Sequence, residues 1–160
     1  MKKLAFLRKT ILVGILLFGL SSLAQNLVKP SQANLSYLKT LFEKANVKVE
    51  ETASDHFKIR QIYLLTVAID HDKQFITFKT NYALKAKVTE QQAIALANRL
   101  NSEIPLAKIF YDKATHTMCY QYEFWIKEGF TAEGLISATT FFSKLISLSF
   151  DKDKERLIDS

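Results

Sequence analysis

Met118-Cys119-Tyr120-Gln121-Tyr122-Glu123-Phe124-Trp125-Ile126 is the stretch on which the fold turns. On an extended chain successive side chains point to opposite sides, so Met118, Tyr120, Tyr122 and Phe124 form one row and Cys119, Gln121, Glu123 and Trp125 the other. This is a strand with two usable faces. Ile109 to Asp112 reads as a second aromatic strand immediately upstream, joined to the first through Lys113-Ala114-Thr115. That connection has no glycine, which predicts a hairpin with a looser loop than the usual two-residue turn.

Helices bracket this hairpin. Thr89-Glu90-Gln91-Gln92 has the pattern in which a threonine caps a helix start and the residue three later reaches back to the cap. Ala93, Leu96, Ala97 and Leu100 then recur at helical spacing, and Pro105 forbids continuation much past Ser102. After the hairpin, Gly129 breaks the chain. Thr131 opens a third helix through Leu135, Ala138, Phe142 and Leu145.

Nearer the N-terminus, Ser31 is the expected cap of a first helix carrying Leu35, Leu38, Leu41, Phe42 and Ala45, with Asn46 as its stop. Val47 and Val49 alternate with Lys48 and Glu50 as a short strand. From Phe57 to Leu84 the period is two: one strand covers Tyr63 to Ile69 with both faces apolar, and its partner carries Ile76, Phe78 and Tyr82. Asp70-His71-Asp72-Lys73 is the polar turn between them. The expected fold is therefore α+β, an antiparallel sheet of about five strands packed with three helices in the order αβββαββα.

The first 24 residues carry a different message. Lys2, Lys3, Arg8 and Lys9 precede an apolar run from Ile11 to Leu20, and Ser22-Leu23-Ala24 offers small residues before a cut. This is the pattern of a secretory signal peptide, and the apolar core is about half the roughly 20 residues a spanning helix needs. Cleavage after Ala24, a periplasmic or secreted location and no stable membrane insertion afterwards are the expectations, with an uncleaved membrane anchor as the alternative. The predicted organisation is 1–24 signal, 25–32 short leader, 33–150 folded domain and 151–160 a charged, solvated tail.

Removing the signal also changes the charge argument. The chain has a formal net charge of +6, but the signal holds four of the 22 Lys plus Arg and none of the 16 Asp plus Glu, leaving 18 against 16. So small a surplus gives no clustered basic footprint, and no nucleic-acid partner is expected. Hydrophobic residues at 48% with twelve Phe are enough for one packed core. Cys119 is the single cysteine, which excludes an intramolecular disulfide and reads as a buried, inert thiol.

Candidate chemistry is sparse. Asp70, His71 and Asp72 are ligand-type and acid/base-type residues, and they would suit a small exported hydrolase or metal-dependent enzyme if the turn brought all three together. The competing reading is a solvated hairpin tip. His56 and His116 have no partner at metal-ligand spacing, and phosphate-binding loops, dinucleotide fingerprints and nucleophile elbows are absent. No catalytic residue, cofactor or metal is expected.

Three segments carry a family likeness: Ala97-Asn98-Arg99-Leu100-Asn101, Lys108-Ile109-Phe110-Tyr111-Asp112, and Glu128-Gly129-Phe130-Thr131. Together with the element order they resemble the YbjN family of bacterial sensory transduction regulator-like proteins, over about residues 33 to 150. The resemblance implies a fold like that of type III secretion chaperones and a non-enzymatic regulatory or chaperone-like role. It also implies a protein or peptide partner, a second copy of the chain being one candidate. On this reading Tyr120, Tyr122 and Phe124 on the aromatic strand, with Asn98 and Asn101 on the second helix, are the candidate partner-binding residues. The alternative for the aromatics is ordinary core, and for the asparagines local capping.

Overall fold

The computed structural model describes residues 26–159, so the signal and its cut site lie outside the described residues. A single 3₁₀ turn at Pro30–Gln32 leads into helix α1 (Leu35–Lys44), followed by strands β1 (Lys48–Thr52), β2 (His56–Arg60), β3 (Leu64–Ile69) and β4 (Phe75–Ala83). Helix α2 (Glu90–Glu103), strands β5 (Lys108–Asp112) and β6 (Thr117–Trp125), and helix α3 (Ala132–Lys152) complete the order. The strands form one antiparallel sheet in the order β1-β2-β3-β4-β6-β5. The α+β expectation holds, with six strands among the described residues rather than about five. The additional strand is β2, whose Phe57 and Ile59 are buried between half-exposed His56 and Lys58 and exposed Arg60.

The helix starts show how local sequence sets the boundaries. At α2, Thr89 Oγ1 accepts from the Gln92 amide at 3.3 Å while Gln92 Oε1 accepts from the Thr89 amide at 2.9 Å, which satisfies two of the otherwise unpaired groups of the first turn. At α3, Thr131 accepts from the Gly134 amide at 3.0 Å. At α1 the cap is Asn34, not Ser31: Asn34 Oδ1 accepts from the Tyr37 amide at 2.9 Å. Ser31 belongs to the preceding 3₁₀ turn, which leaves Asn34 directly before Leu35, and asparagine caps as well as serine. Asn46 ends α1 as expected, with a left-handed φ of 58°.

The sheet buries one face. Phe57, Val67 and Phe78 oppose one another across β2, β3 and β4, and Phe78 opposes Tyr122 on β6. Helix α1 seals one side of this row, with Phe42 edge to face on Phe57, and α3 seals the other, with Phe142 stacked on Tyr122. Each such side chain contributes roughly 1.5–3 kcal/mol by leaving water. Helix α2 lies beside the end of α3, joined by Lys152 to Glu103 at 2.6 Å and Arg99 to Glu155 at 3.3 Å.

Both ends of the described chain fasten to this body. Val28 exchanges backbone hydrogen bonds with Phe130, at 2.7 and 3.0 Å, directly after Gly129. Gly129 has φ 94°, and a Cβ there would meet Leu27 Cγ at 2.9 Å, so glycine is required both by conformation and by space. The expectation of a solvated tail is corrected at the C-terminus. Ile158 is 4% exposed and bridges Leu84, and the buried Asp153 carboxylate accepts from the Ile158 amide at 2.8 Å. Leu157 and Ile158 are the apolar pair that pulls this charged segment back onto the domain.

Candidate binding face

The face away from α1 and α3 is built by the alternate residues of the same strands. Lys58, Thr66, Lys79, Gln121 and Lys108 lie opposite one another in turn across β2, β3, β4, β6 and β5, placing a lysine on every second strand. Lys58 is paired with Glu51 at 2.6 Å. Lys79 and Lys108 have no ion-pair partner among the described residues. Lys108 Nζ instead lies 5.6 Å from the Phe110 ring. Beyond this row, Arg60 makes a bidentate pair with Glu50 at 2.8 and 2.9 Å. Arg60 and then Lys48 hold the Glu50 carboxyl down at about 2.

One end of this face is apolar. Phe75 and Trp125 are directly opposed on β4 and β6 and meet edge to face with ring centroids 4.9 Å apart. Trp125 is 48% exposed, and Leu106, 72% exposed, has a left-handed φ of 66°. Phe75 and Leu106 border a depression with Lys108, Gln121 and Glu123. An exposed tryptophan on an uncovered sheet face, next to apolar neighbours and rimmed by charge, has the composition of an interaction surface.

The aromatic residues expected to meet a partner sit on the other side. Tyr120 is 1% exposed, its hydroxyl accepts from Ser149 at 2.9 Å, and it has no surface to offer; the expectation is corrected there. Tyr122 is half-buried against Phe78, Phe141 and Phe142, and Phe124 packs edge to face on Phe130. Burial pushes the Tyr82 hydroxyl up to about 12 and the Tyr120 hydroxyl higher still.

The two asparagines divide. Asn101 donates from its side-chain amide to the Ile109 carbonyl at 2.6 Å and accepts from the Ile109 amide at 2.9 Å. It binds a peptide backbone, but the backbone is that of its own β5. Asn98 is exposed and makes no side-chain hydrogen bond among the described residues.

The Asp70-His71-Asp72 segment is a turn. Asp70 Oδ1 accepts from the amides of Gln74 and Phe75 at 2.8 and 2.6 Å, which closes the β3–β4 hairpin. His71 projects fully into solvent and, among the described residues, pairs only with Asp72 at 3.1 Å. Among the described residues no three His, Cys, Asp or Glu side chains are grouped as a metal would need. Cys119 is buried, and that burial raises its thiol above the ordinary value. His116 takes the left-handed conformation, φ 53°, that the glycine-free β5–β6 hairpin needs, with Nδ1 3.0 Å from the Tyr111 hydroxyl. No helix among the described residues is long and apolar enough to cross a membrane.

No family model matches the chain, and no curated protein matches its sequence. Among solved structures it is similar to the crystal structure of YbjN, a proposed transcription regulator from E. coli, with a TM-score of 0.67 and 12% identity. The match covers 80% of this chain and 97% of that one. The two share helices and sheet across nearly the whole of YbjN, and the chain has a YbjN-like fold.

Proposed function

We propose that this chain is an exported, non-enzymatic binding module that regulates by holding a protein segment on the uncovered face of its sheet. The observation that carries this reading is the exposed Trp125, packed edge to face on half-buried Phe75, on a face that α1 and α3 leave open, bordered by Leu106 and by Lys108. Tryptophan in such a setting is the residue type that most often dominates a protein interface. The YbjN-like fold supports it by analogy, since the similar protein is itself a proposed regulator. Export rests on the signal pattern of residues 1–24, with the mature chain starting at Gln25 in the periplasm or outside the cell.

The test is photocrosslinking in the producing cell from a benzoylphenylalanine placed at Thr77, on the open face, and for comparison at Ser137, on the outer side of α3. Discrete polypeptide adducts from position 77, absent from position 137 and lost when Trp125→Ala is added, are the expected result. Adducts that survive Trp125→Ala, or none from position 77, would sink the reading. Intact-mass measurement of the exported protein checks the predicted start at Gln25 separately.

A further inference from the structure

Strands β3 and β4 part company before either ends. Their ladder stops at Thr66 opposite Lys79, yet β3 begins two residues earlier, paired with β2 alone, and β4 runs four residues further, paired with β6 alone. The gap is a cleft of about 550 Å³, within the range of small-ligand sites. Asp70 donates its amide to the Phe75 carbonyl across this hairpin. By the alternation of an antiparallel ladder, the next pair whose amides would face each other beyond Thr66 and Lys79 is Leu64 and Asn81. Those amides point into the gap with no strand partner.

The lining is one-sided in charge. Lys58, Arg60 and Lys79 border the cleft, and among the described residues no carboxylate does. Two of these cations are already engaged, Lys58 by Glu51 and Arg60 by Glu50. Lys79, exposed at the centre of the sheet, has no ion-pair partner among the described residues. From the helix side the gap is lined by Tyr63 and Tyr82, edge to face at 6.0 Å and both packed on Phe150. Ile62, 64% exposed, and Leu64 add apolar wall.

We propose that this cleft binds a carboxylate carried on an aromatic or branched apolar group, with Lys79 and the Leu64 and Asn81 amides on the carboxylate and Ile62, Leu64 and the Tyr63–Tyr82 pair around the apolar body. Two N–H groups and an ammonium suit a carboxylate as acceptor, and capture of a terminal carboxylate by exposed backbone amides is a recurring peptide-recognition mode. A peptide C-terminus and a small free acid share this chemistry. The site is distinct from the Phe75–Trp125 patch and stands or falls independently of segment binding there.

The experiment is amide chemical-shift titration of the labelled protein with three probes: N-acetylphenylalanine, its C-terminal amide, and acetyl-Gly-Gly-Gly-Phe with a free carboxylate. Saturable shifts at Leu64 and at Lys79 to Tyr82 are expected with both acids. Binding should weaken about tenfold or more for the amide and for the Lys79→Gln variant, the loss expected for one charge-assisted contact. Lys44→Gln, at the exposed end of α1 and away from both the cleft and the patch, should bind as the parent does. Tighter binding of the peptide would assign the site to polypeptide ends, and equal binding would assign it to small acids; both sustain a carboxylate site. An amide that binds as well as the acid, or no shift at these residues at millimolar concentration, overturns the proposal.

Discussion

Two rows run side by side across the middle of the sheet, one residue out of step. Phe57, Val67, Phe78 and Tyr122 form the first, and Lys58, Thr66, Lys79 and Gln121 the second. The first row is sealed by α1 and α3. The second needs no helix, because every member either carries its own polar end or lies flat along its neighbours. The contrast teaches that an uncovered sheet face is not itself the sign of a missing partner. The departure from the polar pattern is the sign, and Trp125 with Phe75 and Leu106 is one such departure on this face.

The largest expected effect separating the two faces is Phe142→Ala. It removes the ring stacked on Tyr122 from a fully buried position and should lower unfolding stability by about 3–5 kcal/mol in urea titration. A loss under about 1 kcal/mol would mean the covered face is loosely packed. Ile158→Ala should come next, at about 2 kcal/mol, because the C-terminal strap can partly close over the gap it leaves.

Alkali should weaken the covered face as well. Burial raises the Tyr82 hydroxyl from 10.0 to about 12 and raises Tyr120 too. The folded chain therefore holds protons that the unfolded chain has lost. The stability this contributes is complete below pH 10 and falls as pH rises through about 12. The urea midpoint should drop across that window, and less steeply in Tyr82→Phe; identical slopes would show Tyr82 to be solvated. The smallest effect should be Trp125→Ala, within about 0.5 kcal/mol of the parent. A larger loss would place Trp125 among the residues that hold the fold rather than those that meet a partner.

Much of this was legible beforehand, and the reasons are local. The Thr89–Gln92 box and the Thr131 cap depend on side chains bonding amides three residues away, so their spacing specifies them, and the Asn46 stop depends on that residue's own tolerance of the left-handed conformation. Strand β2 was hidden because Gln61-Ile62-Tyr63 turns the chain with no glycine or proline to announce it. His56 to Arg60 therefore merged with the strand that follows. The burial of Ile158 depends on Leu84, far away in sequence, and no local pattern reports such a contact.

Tyr120 lies in the core rather than on the binding face for a related reason. Aromatic content suggested a partner, but the alternation itself held the better clue. Gln121 and Glu123 mark their row as the one that stays wet, which leaves Tyr120 and Tyr122 for the helices. Trp125, the exception in the polar row, was the residue to single out. The splayed β3–β4 gap has no sequence signature, because it arises from where two ladders end rather than from any residue type.

Asn101 also bears on how copies of this molecule behave in a crowd. The outer strand of a sheet is a template on which another chain can grow, strand upon strand, toward fibres. On β5 the Ile109 groups that would start such growth are already taken by the Asn101 amide. At the opposite margin, β1 is bent by a bulge between Val49 and Glu51 and carries Lys48, Glu50 and Glu51. With both margins obstructed, self-assembly by strand addition is disfavoured. Concentrated solutions should remain free of amyloid-like stacking so long as Asn101 keeps its grip.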